Sequence, residues 1–245
     1  MHKLDTVIIK QRFCGPPNSG NGGYVSGLLA GYCGAVSSVP GGTTTEVRLM
    51  APPPLDRSLD VFQDDEHSVF LLDGDQTIAS AKAGRLELEV PPAMPFAEAQ
   101  KAAENYVGFR YHPFPQCFVC GPERVHHDGL RIFPGRGKDA GVVAAPWVPD
   151  ATLVADNGRI APEYLWAALD CTGAFALDFG PDKVLVLGMF TVEIHKVPQV
   201  DEDCVVLGWN MGVDGRKNYA GTAVYNSQGD LCGAGKATWI QLKSS

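Results

Sequence analysis

The chain has 245 residues, 45% of them hydrophobic and 20% charged, which suits one large domain or two ordinary ones with proper cores. A net charge of −8 and a pI near 5.2 argue against nucleic acid or an anionic membrane as the main partner. No apolar run is long enough to span a bilayer, "MHKLDTVIIKQRF" lacks the form of a signal peptide, and seven scattered cysteines argue against a disulfide framework, so a cytoplasmic chain with reduced thiols is expected.

In chain order, "DTVIIKQRF" (Asp5 to Phe13) alternates as a first strand does. "CGPPNSGNGG" then leads into an apolar helix expected from about Gly22 to Ala35. Glycines at a helix start leave backbone N–H groups bare and let a ligand come close, although they also permit tight helix–sheet packing. Four strand-like pieces follow from Thr43 to about Glu89: "TTTEVRLM", "LDVFQ", "HSVFLL" and "TIASAKAGRLELEV". "PPAMPFAEAQKAAENYVG" reads as a proline-punctuated linker carrying a short amphipathic helix. The expected division is therefore a first unit over 1–91, a linker over 92–112 and a second unit over 113–245.

The second unit opens on "CFVCGPERVHHDGLRIFPG" and has a strand near Gly141 to Val148. It then reaches the run around which the chain is organised, "RIAPEYLWAALDCTGAFALDF" (Arg159 to Phe179). This reads as a helix buried on most faces, with Pro162 at its first position and Glu163 in its first turn. Asp170 sits in its middle, where a carboxylate is costly unless hydrogen-bonded or put to use. Four strand-like pieces close the chain: "KVLVLGMFTVEIHKVP", "CVVLGWNMGV", "KNYAGTAVYNSQ" and "DLCGAGKATWIQLK".

The halves repeat one order, a strand, a loop, an apolar helix and a run of strands. "TEVRLMAPPPLDRSLDVF" echoes "VEIHKVPQVDEDCVVL", and "DGDQTIASAKAGRLEL" echoes "SQGDLCGAGKATWIQL", at a spacing of about 147 to 155 residues. The expected architecture is α+β and duplicated, each copy an antiparallel sheet wrapped around one long central helix, with the two sheets paired edge to edge.

With that order and those motifs, the sequence resembles the hotdog-fold acyl-CoA thioesterase superfamily in its tandem, double-hotdog form. In relatives of the phenylacetyl-CoA type the helix opens on His-Gly-Gly and carries a carboxylate nine residues after the His. Asn21-Gly22-Gly23-Tyr24 resembles that opening, with Asn for His, but nine residues on stands Ala30. The second helix opens on Ala161-Pro162-Glu163 and reaches Asp170 nine residues on. The segment "CFVCGPERVHHDGLRIFPG" also resembles one that precedes a hotdog unit in some of these proteins.

The resemblance implies acyl-CoA as a small-molecule substrate, with coenzyme A as part of it and no separate cofactor, and a homodimer as the assembly. Residues eight or nine apart on one helix are separated by roughly 12–14 Å, so one helix cannot bring both groups to one carbonyl. A composite site is expected, with Gly22 or Gly23 N–H from the first helix polarising the thioester and Asp170 from the second acting as base or nucleophile. Asn21 would steer the carbonyl or a water, Thr172 would hold the water, and Asn18 is a weaker candidate. The mirror pair, Ala30 and the Pro162 end, has neither an acid nor an N–H at the proline, and is expected to be dead.

Arg131, Arg216 and Lys217 are candidates for the CoA phosphates. No metal site is expected, because Cys117 and Cys120 followed by His126 and His127 are not spaced as a standard zinc set. Cys171 reads as core. Trp209, Trp239, Phe190 and Met189 line either core or acyl pocket. No G-x-S-x-G hydrolase elbow is present. The alternative function is a binding protein that holds an acyl thioester or other apolar ligand without turnover. A hydratase of the same fold is a third reading, weakened because Phe175 stands five residues after Asp170.

Overall fold

The computed structural model describes residues 1–33, 43–137, 141–155, 158–177, 180 and 183–242. In chain order the elements are β1 (His2–Ile8), α1 (Gly22–Cys33), β2 (Thr43–Leu49), β3 (Ser58–Gln63), β4 (Val69–Asp73), β5 (Gln76–Ala83), α2 (Phe96–Ala103), β6 (Gly135–Arg136), β7 (Val142–Trp147), α3 (Pro162–Phe175), β8 (Leu185–Ile194), β9 (Cys204–Asp214), β10 (Lys217–Tyr225) and β11 (Leu231–Gln241). The expected end of the first helix at 34–35 lies outside the described residues, and α3 stops at Phe175 with Ala176 as its C-cap, short of the expected 179.

Among the described residues these strands form one antiparallel sheet in the order β1-β3-β4-β5-β2-β8-β11-β10-β9-β7-β6. From each side inward the succession is the same, β1-β3-β4-β5-β2 against β7-β9-β10-β11-β8, and the two runs meet at the β2–β8 ladder. That ladder pairs Thr45 with Val192, the first residues of the echoing segments "TEVRLM" and "VEIHKV".

The sheet curls around α1 and α3. Alternation on β3 and β4 turns Leu59, Val61, Val69 and Leu71 inward, where α1 covers β4, β5 and β2. Helix α3 packs on β7 through β11 and is buried from Leu165 to Phe175. One contiguous core joins Val25, Leu29 and Val61 to Leu165, Leu169 and Val206.

The helices run antiparallel in close contact, and two glycines one turn apart make room. A Cβ at Gly23 would stand 2.4 Å from Asp170 Cβ, and one at Gly27 would stand 2.6 Å from Glu163 Cα.

Three details differ from the sequence reading. The first strand ends at Ile8, and Gln11–Phe13 form a 3-10 turn instead of its continuation. The strand from Thr77 stops at Ala83, and the alternating "RLELEV" continues outside any strand. Leu86, Leu88 and Val90 pack on the outer face of the second half's sheet, so the alternation records a half-buried extended chain without a ladder partner among the described residues. The segment read as a linker is a covering layer. Ala99 and Ala102 of α2 pack against Ala144, Val205 and Leu207, and Gly135 lets the α2 backbone come close.

Candidate active site

The antiparallel helix pair brings the first turn of α1 to the middle of α3. Asn21 stands at the start of α1, where its Oδ1 accepts the Tyr24 N–H at 2.9 Å and so satisfies one of the free first-turn donors. Its Nδ2 donates to Asp170 Oδ2 at 2.8 Å, and the Gly23 N–H donates to the same oxygen at 3.0 Å. Asp170 is 2% exposed, and its Oδ1 is buried with no hydrogen-bond partner among the described residues. Burial pushes its carboxyl up to about 7, against the Gly23 N–H, which lowers it, and with Cys117 raising it further.

Asp170 lies in the wall of a cavity of about 510 Å³ lined by Leu49, Phe114, Phe175, Leu187, Trp239 and Ile240, with Asn21 and Gly22 beside it. Met50 and Leu242 also line it and are exposed, which marks its mouth. Gly22 is the first residue of α1, and its N–H makes no hydrogen bond among the described residues. A Cβ there would stand 3.0 Å from Leu187 Cβ and 3.1 Å from Leu49 Cδ1, so glycine keeps the cavity open at the helix N-terminus.

Asn21, Gly22, Gly23 and Asp170 therefore come together, with one refinement. The Gly23 N–H already binds Asp170, which leaves Gly22, in the cavity wall, as the one of the two glycines whose N–H has no bond among the described residues. Thr172 does not join them. Two residues along a helix turn a side chain by about 200°, and Thr172 is buried against Gly208 of β9 instead. Asn18 is exposed and outside the cavity wall.

Arg131 is also outside that wall. Its Nη1 donates to the Arg124 carbonyl and its guanidinium lies over the Phe133 ring at 5.1 Å, so packing in its own loop accounts for it. Arg216 and Lys217 are exposed at the β9–β10 turn, and Lys217 pairs across the ladder with Ile240, a cavity residue. Of the four large side chains, Trp239 lines the cavity and Phe190 packs edge-on to Trp166 with ring centroids 5.6 Å apart. Trp209 lies with the outer cluster beside α2, and Met189 is half-buried on β8.

What the sequence reading missed is the company of Cys171. Its Sγ is 3.7 Å from Cys117 Sγ, and the sulfurs of Cys117, Cys120 and Cys171 all lie within 4.8 Å of one another in the cavity wall beside Asp170. Hydrogen bonds from Cys120 and Cys171 hold the Cys117 thiol well below its ordinary range. His126 and His127 are exposed and lie elsewhere, His127 against Asp150 at 3.2 Å. The visible signal was the Cys-x-x-Cys-Gly turn. Its third cysteine is 54 residues away and is brought in by the fold alone.

No family model matches this sequence, and no curated protein does. Solved structures do match along almost the whole chain. The tesB protein of Mycobacterium avium subsp. paratuberculosis superposes with a TM-score of 0.64 at 13% identity, over 97% of this chain and 92% of that one. A conserved hot dog fold protein of unknown function from Alicyclobacillus acidocaldarius gives 0.60 at 11% identity, over 98% and 93%. An acyl-CoA thioesterase II from Mycobacterium marinum gives 0.58 at 12%, over 100% and 97%. The chain has the hotdog fold. Identities this low carry the fold and leave the chemistry to the residues of the site.

Proposed function

We propose that this chain is two hotdog units fused in tandem and that it hydrolyses an acyl-CoA thioester at one composite site between α1 and α3. The observation that carries the reading is the pairing of a helix N-terminus with a buried carboxylate at an apolar cavity. The acyl group enters that cavity, among Leu49, Leu187, Phe175 and Trp239. Its carbonyl oxygen meets the Gly22 N–H, where the helix dipole favours the developing negative charge. Asn21 and the Gly23 N–H hold one oxygen of Asp170, which leaves Oδ1 to take the proton of the attacking water. The coenzyme A thiolate then leaves toward the mouth, where Arg216 and Lys217, close to Ile240, meet its phosphates. The solved thioesterases of the same fold support the reaction class.

The test is thiol release from a panel of short, medium, long and aromatic acyl-CoAs. Turnover of at least one class at a rate well above the uncatalysed one is expected. One observation favours a second reading, an acyl-thioester binding protein: the two nitrogen donors to Asp170, Asn21 Nδ2 and the Gly23 N–H, both stand at the start of α1, so the carboxylate also clamps the two helices. Under that reading the same panel shows binding without thiol release.

A further inference from the structure

We propose that Cys117, Cys120 and Cys171 form a zinc site in the cavity wall, with three sulfur ligands from the protein and the fourth position open to the cavity. This goes beyond the hydrolase reading and does not depend on it. Tetrahedral zinc with Zn–S bonds of about 2.3 Å separates its sulfurs by about 3.8 Å, and Cys117 and Cys171 are 3.7 Å apart, with Cys120 in the same group. All three are buried, where an exposed thiol's chemistry with solvent is not available to explain their convergence.

The second observation is that N–H donors surround the sulfurs. Cys117 and Cys120 stand on the tight turn of a Cys-x-x-Cys-Gly knuckle. Gly121 closes that turn by donating to the Cys117 carbonyl at 2.9 Å, and a Cβ there would stand 2.5 Å from the Pro115 carbonyl oxygen, so the turn requires glycine. Asn21 Nδ2 lies 3.9 Å from Cys117 Sγ and 3.7 Å from Cys171 Sγ. His112 Nδ1 accepts the Phe114 N–H at 2.9 Å, so the neutral ring carries its hydrogen on Nε2, which points at Cys120 Sγ at 3.3 Å. His112 is thereby a donor to the cluster and not its fourth ligand. Three protonated thiols would need none of these donors, whereas thiolates on a soft-tolerant d¹⁰ cation are stabilised by each. The bound ion would tie the 113–121 loop to α3 next to Asp170 and so fix one wall of the cavity.

The experiment uses the full chain, purified without a metal-affinity tag or chelator, with metal measured by inductively coupled plasma mass spectrometry. About one zinc per chain is expected, released when a mercurial titrates the thiols. Cys117→Ser and Cys171→Ser should each lower zinc content about tenfold, whereas Cys33→Ser, at the far end of α1, leaves it unchanged. Because a cysteine variant can fail to fold, cobalt exchange into the wild type is the second readout, and sulfur-to-cobalt charge-transfer absorption is expected. Full zinc content in Cys171→Ser would overturn the proposal. So would a reduced wild-type protein that is isolated metal-free and takes up neither zinc nor cobalt.

Discussion

At the scale of single residues, Asn21 does two things at once. It caps α1 through Oδ1 and holds Asp170 through Nδ2. Asn21→Ala removes both bonds and leaves Asp170 with fewer donors, so a loss of about 2 kcal/mol is expected in denaturant unfolding. Asn21→Asp keeps the cap and sets a second carboxylate against Asp170 in a buried place, and it should lower the unfolding midpoint further than Asn21→Ala. A midpoint for Asn21→Asp above that of Asn21→Ala would mean the amide does not serve Asp170. Gly22→Ala adds a methyl among Leu187 and Leu49 at the cavity end of α1. Thiol release should fall by about tenfold or more as the N–H loses its access, with a much smaller change in unfolding midpoint.

At the scale of elements, α1 carries a control for its own glycines. Gly23→Ala drives a methyl into Asp170 and the Trp166 carbonyl and should cost about 3 kcal/mol by overpacking the helix pair. Gly31, on the exposed face of the same helix, meets nothing within 4 Å, so Gly31→Ala should stabilise by about 0.5–1 kcal/mol. Opposite signs by thermal unfolding are the check, and equal effects would mean that the helices do not pack through Gly23. The helices themselves were legible, because Pro162, Glu163 and apolar runs are local signals. Asp170 stood out because a lone carboxylate in such a run demands a reason. The alternation at Leu86, Leu88 and Val90 misled, since period two reports which side is buried and not whether another strand lies alongside. Thr172 was misplaced because nearness in sequence along a helix is not nearness in direction. Cys171 could not be joined to Cys117 and Cys120, because only the packing of α3 beside the 113–121 loop brings them together.

At the scale of the molecule, the echoing segments pointed to a strand order used twice, and two of them, at Thr45 and Val192, lie side by side in the β2–β8 ladder. The central core draws on both halves without a break, and the segment after β5 lies on the second half's outer face. The chain should therefore unfold in one cooperative transition, with calorimetric and van't Hoff enthalpies equal. Two separated transitions would mean that the halves are energetically independent despite their shared ladder and paired helices.

The central claim is that Asp170 is the working acid-base group of a composite site, and the most direct measurement is thiol release by Asp170→Asn beside the wild type. The Asn carbonyl can still accept from Asn21 and Gly23 while its amide takes the place of Oδ1, so the fold and acyl-CoA binding should persist. The account predicts turnover by the wild type and a loss of about 10²- to 10⁴-fold in the variant. A folded Asp170→Asn protein that hydrolyses the same acyl-CoA as fast as the wild type would contradict it.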